Sequence, residues 1–257
     1  MFEATVSDGV LRLRRSGTRW LSTGWDGGRS RAPAAYNVTV PEEFDRTDLA
    51  AYRDERLGRA GFGGGESGAP EADAGAGSPG ADRDAPPTLF TGVSMAHARG
   101  ARLGPVVAYA TVGLSNPAML PVGAEEATGS REPTARPEGR PGPGTVNLIV
   151  GAARSLAPGA AANLVAVAAE AKAATLLATA GVPGTTSDAV VVADDPEGAP
   201  AEFSGSATAV GGAARACVRD AVRASLRSRY PDGDLPGPAA DAEHGVVTDE
   251  RAEVFDP

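Results

Sequence analysis

Thr145-Val-Asn-Leu-Ile-Val150, Ala160-Ala-Ala-Asn-Leu-Val-Ala-Val-Ala-Ala-Glu-Ala-Lys-Ala-Ala-Thr-Leu-Leu-Ala-Thr-Ala-Gly181 and Ala189-Val-Val-Val192 follow one another along the chain. The outer two are short apolar runs bounded by turn residues and read as strands. The middle one is alanine-rich and helical in length. A strand, a helix and a strand within about 50 residues imply a right-handed parallel crossover. Upstream, Asp8-Gly9 separates Phe2–Val6 from Val10–Arg14, a hairpin signal. Arg19–Thr23 is a further candidate strand, and Ala35–Val40 is extended and stops at Pro41. Glu42–Leu57 reads as an amphipathic helix, with Phe44, Leu49, Tyr52 and Leu57 roughly on one side. Leu89–Met95 and Val106–Val112 are β-rich, and a last helix runs from about Ala207 to Tyr230. The expected fold is α/β or α+β, a single domain whose mixed sheet has antiparallel N-terminal strands and a C-terminal βαβα unit.

Three segments are poor in apolar side chains: about 59–87, about 123–144, and the acidic tail 231–257. None buries enough apolar surface to offset its ordering, so the first two read as solvated insertions and the third as a mobile tail. They leave a single domain over residues 1–230. Gly63-Gly-Gly-Glu-Ser-Gly68 matches GxGxxG, but it lies in low-complexity sequence with no strand before it or helix after it, and is set aside.

The 257 residues carry a net charge of −9 and a pI near 4.8. This argues against nucleic acid as a partner, because such binding depends on basic residues that neutralise phosphates. Cys217 is the single cysteine, so no intramolecular disulfide forms, and a reducing cytoplasm is expected. The N-terminus lacks the basic start and apolar run of a signal peptide. No membrane span is expected either, since Glu170 and Lys172 interrupt the longest apolar stretch. Nothing in the pattern fixes an oligomeric state.

Lys172 is the only lysine; every other basic side chain is arginine. An ammonium is a compact donor that can act as base or nucleophile when buried, whereas a guanidinium stays charged. Glu170 and Lys172 both sit on a nearly uncharged helix, and a helix apolar all round is expected to be buried. Two residues apart, they point to nearly opposite sides, so each needs its own partner. They are either functional groups or structural ion pairs. Pro183-Gly-Thr-Thr-Ser-Asp188, before a strand, offers three hydroxyls and a carboxylate. It suits an oxyanion or nucleophile site, and equally an ordinary turn. Asn147 stands in a strand, where asparagine is unfavourable. Asn116 precedes Pro117 and suits a turn. Ser22-Thr-Gly-Trp-Asp-Gly-Gly28 places an aromatic and a carboxylate in a glycine-rich turn that suits a flat ligand or simple packing. Arg215, Arg219, Arg223 and Arg227, at steps of four, read as a solvated helix face. His97 and His244, the two histidines, do not form HExxH, and one cysteine gives no ordinary zinc site. No cofactor is expected; a hard-metal site of Asp, Glu and Asn stays open.

In this order, Leu21-Ser-Thr-Gly-Trp-Asp-Gly-Gly28, Tyr36-Asn37, Val40-Pro41, Gly113-Leu-Ser-Asn116, Thr145-Val-Asn147, Glu170-Ala-Lys172, Gly184-Thr-Thr-Ser-Asp188, Phe203-Ser-Gly205 and Gly211 resemble the adenosylcobinamide amidohydrolase (CbiZ) family. The match covers nearly all of the ordered core and none of the three low-complexity segments. Where that family commonly shows Thr-Gly-Thr-x-Thr-Asp, this chain has Pro183-Gly-Thr-Thr-Ser-Asp188, with Pro183 and Ser187 in place of threonines.

The resemblance implies hydrolysis of the amide joining aminopropanol to the corrin side chain of adenosylcobinamide. The corrinoid is then substrate, not cofactor. On that reading Asp188 or Glu170 orients or deprotonates water, and Lys172 stabilises the oxyanion or protonates the leaving amine. Thr185, Thr186 and Ser187 supply hydroxyls, one of them an alternative nucleophile. Asn116 and Asn147 bind corrin amides or the scissile carbonyl, and Trp25, Asp26, Gly27, Gly28 and Asn37 form the substrate rim. The competing reading is a non-catalytic corrinoid-binding module, which needs neither Lys172 nor Asp188.

Overall fold

The computed structural model describes residues 2–63, 85–121, 144–233, 235–236 and 245–256. Most of the two low-complexity insertions, His244 and all but the first residue of the Gly63–Gly68 match lie outside the described residues.

Asp8 and Gly9 both adopt positive φ, 42° and 71°, which matches a tight turn to the twist of its strands. They join β1 (Glu3–Ser7) to β2 (Val10–Arg14). There follow β3 (Arg19–Ser22), β4 (Gly28–Arg31), β5 (Ala34–Thr39), α1 (Leu49–Arg59), β6 (Thr88–Thr91), β7 (Arg99–Leu103), β8 (Val106–Val112) and β9 (Pro117–Met119). The second half contains β10 (Val146–Ala152), β11 (Ser155–Leu156), α2 (Pro158–Ala180), β12 (Gly184–Thr185), β13 (Ala189–Asp194), β14 (Pro200–Ala201), α3 (Ala209–Arg229) and β15 (Val246–Val247).

The expected crossover is present: β10 and β13 pair in parallel, with α2 between them in sequence. They lie at the centre of a six-stranded mixed sheet, ordered β4-β3-β13-β10-β8-β7. A second sheet, β1-β2-β5-β6, packs against it. Alternation along the strands sorts the core into layers. Leu148 and Val150 of β10 and Val190 and Val192 of β13 turn toward α2 and α3, while Ile149 and Val191 meet Trp20, Leu13 and Leu89 between the sheets. The far face of the second sheet (Val10, Tyr36, Val38) is covered by Tyr52 and Leu57 of α1. The result is helices, sheet, sheet, helix.

Four expectations need correction. The helix expected from Glu42 begins at Leu49, because the acid-rich stretch before it is held as a loop by Arg46, which bonds to Asp48 and Glu55. The strand expected over Leu89–Met95 ends at Thr91, and Met95–His97 forms a short 3-10 turn capped by Ser94. The central helix, expected to be buried all round, packs on the sheet with Leu164, Ala168 and Leu176 and leaves Ala162, Ala166, Ala174 and Leu177 exposed. Alanine is weakly apolar, so that face is tolerated in water. By length and composition α2 is apolar enough to cross a membrane, yet 44% of that stretch is buried against the protein. Finally, the tail is not structureless throughout: Val246–Val247 pairs in parallel with β9, as suits two β-branched residues beside a free strand edge.

Candidate active site

The crossover brings one end of α2 to the end of the sheet where β10 and β13 begin. Register sets Asn147 beside Ala189, so Val146 and Asp188 adjoin at the strand starts. The Val146 amide donates to Asp188 Oδ1 at 2.9 Å, and the Thr185 amide donates to Oδ2 at 3.1 Å. The Thr185 hydroxyl donates to Oδ1 and the Lys172 ammonium to Oδ2. A carboxylate offers about four lone-pair positions, and here all four are taken. Lys172 and Asp188 are each 12% exposed at the side chain, so the pair is screened from water but reachable. Gly184 makes this approach possible. A Cβ there would lie 2.6 Å from Lys172 Nζ and press on Asp188 Oδ2.

The neighbouring hydroxyls divide into two kinds. Ser187 is tied down, with its Oγ 2.8 Å from Thr145 Oγ1 and donating to the Gly144 carbonyl at 3.2 Å. Thr186 is exposed; its Oγ1 accepts from Asn116 Nδ2 at 2.6 Å, and its amide donates to the Asn116 carbonyl at 3.1 Å. The hydroxyl proton of Thr186 is therefore the one left to donate outward. Gly144 and Thr145 are contributors that sequence reasoning passed over. The signal was a glycine that ends a loop: a Cβ on Gly144 would lie 2.6 Å from Ser115 Oγ and collide with Asn116 Oδ1.

The Ser22–Gly28 turn reaches the same end of the sheet. Thr23 exchanges hydrogen bonds with Val190, amide to carbonyl at 2.9 Å and amide to hydroxyl at 2.9 Å. Trp25 packs 5.7 Å from the Phe90 ring and beneath the Arg53 guanidinium. Asp26 sits at φ 47° and Gly28 at φ 102°, and a Cβ on Gly27 would strike the Ser22 carbonyl oxygen, so the turn requires its glycines.

Not every sequence-predicted residue joins this cluster. Asn37 and Asn147 are buried between the sheets. Asn147 Nδ2 donates to Asn37 Oδ1 at 2.9 Å and to the Phe90 carbonyl at 3.0 Å, and Asn37 Nδ2 donates to Thr111 Oγ1 at 2.9 Å. Their amides bridge the two sheets. Asn147 Oδ1 and Asn116 Oδ1 are buried without a hydrogen-bond partner. Glu170 lies apart from Lys172, as the spacing requires. It is exposed and bonds to Arg215 at 2.7 Å beside a groove of about 590 Å³ between α2 and α3. Arg219, Arg223 and Arg227 are exposed, as expected of a solvated stripe. His97 lies 3.1 Å from Ser228 Oγ, and its pKa is held below the ordinary value by burial and by the charges of Arg229 and Arg99. Among the described residues, no three His, Cys, Asp or Glu side chains converge as metal ligands.

A cation pinned by a saturated carboxylate, with an outward hydroxyl beside it, suits stabilisation of a tetrahedral oxyanion. Comparison with known proteins agrees with acyl chemistry. The profile of the adenosylcobinamide amidohydrolase family matches residues 72–233. A Halobacterium salinarum protein named adenosylcobinamide amidohydrolase is 53% identical over 257 residues, covering all of both chains. No solved structure matches this chain. The chain is thus a hydrolase acting on an amide bond. It belongs to the adenosylcobinamide amidohydrolase family.

Proposed function

We propose that the Lys172–Asp188 cluster is the catalytic centre for hydrolysis of adenosylcobinamide. The bond cleaved joins aminopropanol to the corrin side chain, giving adenosylcobyric acid and 1-aminopropan-2-ol for corrinoid salvage. With its acceptor positions filled, Asp188 serves as an anchor that holds and aims Lys172, and takes no proton from water. Lys172 has three N–H donors and spends one on Asp188. The others meet the carbonyl oxygen as it becomes an oxyanion, in a partly desolvated setting where such a donor is most effective. The Thr186 hydroxyl is the second donor to that oxygen or to a corrin amide. Water adds to the carbonyl carbon and the C–N bond breaks. The leaving nitrogen takes a proton from Lys172, and the proton shed by the attacking water restores it. The side chains named supply this chemistry without a metal. The buried, unpaired thiol of Cys217 suits a cytosolic setting.

The observation that carries this reading is the fourfold anchoring of Asp188 beside the sole lysine. The test is a mass-spectrometric assay of the purified protein with adenosylcobinamide. Release of both products by the wild type and their loss in Lys172→Ala are expected. Full turnover by Lys172→Ala would remove the cluster from the reaction.

A further inference from the structure

Asn116 stands just before β9, where the following proline favours extended backbone. β9 pairs antiparallel with β12, Ala118 with Gly184 and Pro117 with Thr185, so the same register sets Asn116 opposite Thr186. The Thr186 amide donates to the Asn116 carbonyl at 3.1 Å, and Asn116 Nδ2 donates to Thr186 Oγ1 at 2.6 Å. Ser187 Oγ, whose own proton goes to the Gly144 carbonyl, lies 3.4 Å from the same Nδ2. Two hydroxyl oxygens therefore hold the NH2 end of this side chain. The other end faces Gly144, and there Oδ1 finds no donor among the described residues. Asn116 is 0% exposed. A buried acceptor without a donor is a standing cost, and packing alone gives no reason to keep it. An amide NH2 has no lone pair to offer. Thr186 thus cannot turn its proton toward Asn116, and its exposed hydroxyl donates away from the protein.

We infer that Asn116 is a positioning residue that aims the Thr186 hydroxyl proton at the developing oxyanion, making Thr186 the partner of Lys172 there. Buried as it is, Asn116 acts through Thr186 and not on the substrate itself. A hydroxyl already turned toward the oxygen needs no reorganisation as charge develops, which is where such a donor is most effective. The inference rests on the placement of the reaction at Lys172 and Asp188.

A double-mutant cycle in the full chain tests it, by steady-state kinetics with adenosylcobinamide at mildly alkaline pH. Thr186→Val removes the donor, and kcat is expected to fall about 10²-fold with KM within about twofold. Asn116→Asp keeps the shape, but an ionised carboxylate accepts the hydroxyl proton and turns it inward, so a similar fall is expected. Asn116→Ala leaves the hydroxyl free to rotate and should cost less, about tenfold. In the Thr186→Val background either change at Asn116 should lower kcat by no more than about twofold further. The backbone bond between the two residues survives all of these changes. A structural role predicts otherwise: losses that multiply in the double variants, and Asn116→Ala worse than its closer isostere. Multiplied losses overturn the inference, as does a raised KM at unchanged kcat, which would put Thr186 on a corrin amide. Should Asn116→Asp fail to fold by circular dichroism, Asn116→Ala in both backgrounds reads the same coupling. A wild type without turnover overturns the catalytic reading and this inference with it; an active wild type with multiplied losses defeats the role of Asn116 alone.

Discussion

Asp188→Asn changes one atom and should cost this fold much of its stability. Oδ1 accepts from the Val146 amide and the Thr185 hydroxyl, and Oδ2 from the Thr185 amide and Lys172. An asparagine replaces one of these oxygens with an NH2. The two backbone donors sit on different oxygens, so either orientation of the amide sets N–H against N–H. The Thr185 hydroxyl can rotate and Lys172 can withdraw, but the amides of β10 and β12 are fixed by their sheets. A stranded backbone donor costs about 1–3 kcal/mol. Loss of the charge opposite a largely buried lysine brings the total to about 3–5 kcal/mol, the range for breaking a buried pair from one side. In a chain of this length that corresponds to a drop in melting temperature of roughly 10 °C. Urea denaturation at pH 7, followed by circular dichroism, measures the difference directly. A loss below about 1 kcal/mol would refute the geometry, because it would mean that the carboxylate does not hold both amides.

Lys172→Met leaves Asp188 with three donors, so its stability cost is smaller than that of Asp188→Asn, while kcat falls about 10²–10³-fold through loss of the oxyanion donor. Lys172→Arg should do no better, and full activity in that variant would contradict the need for an ammonium. Gly184→Ala forces a methyl into the space of Lys172 Nζ and should lower kcat as Lys172→Met does; wild-type turnover would show that the pair has room to shift. Glu170→Gln should leave kcat unchanged and alter stability by less than about 1 kcal/mol, since its bond to Arg215 is a surface pair. A large loss of kcat there would return Glu170 to the reaction.

The crossover was legible because β10 and β13 are short, mostly apolar runs bounded by turn residues, and α2 between them is alanine-rich and helical in length. β4 and β7 were not, because they are edge strands: Gly28-Arg-Ser-Arg31 and Arg99-Gly-Ala-Arg-Leu103 carry the charge that protects an edge and so lack an apolar signature. The same limit applied at the site. That Glu170 and Lys172 face apart followed from helical geometry alone. That Asn147 and Asn37 face each other did not, since both lie on strand faces covered by a second sheet, and nothing local to either strand announces that cover. A lone amide in a strand reads alike whether it awaits a ligand or another amide. Gly184 and Gly144 could be seen as turn and loop-end glycines, but not why they are needed: a glycine required by close approach shows its reason only once the approaching atom is known.

The two ends of β13 explain why one lysine persists among arginines. At the far end Asp194 is bound by Arg19 through Nε and Nη2, and Nη2 also reaches Ser155 Oγ and the Leu156 carbonyl, each at 3.2 Å. Arg15 pairs with the adjacent Asp195. There the guanidinium spreads its donors across β11 and β13, and the planar fork that never releases a proton is what a permanent clamp needs. At the near end Asp188 already receives two amides and a hydroxyl, and Gly184 leaves space for a single compact nitrogen. A guanidinium there would have to crowd Gly184 and could not hand a proton to a leaving amine. Lysine satisfies the carboxylate with one N–H and keeps two donors and a transferable proton for the substrate. The same strand thus ends in two acidic anchors, and the choice of cation separates the end that holds the fold from the end proposed to carry the reaction.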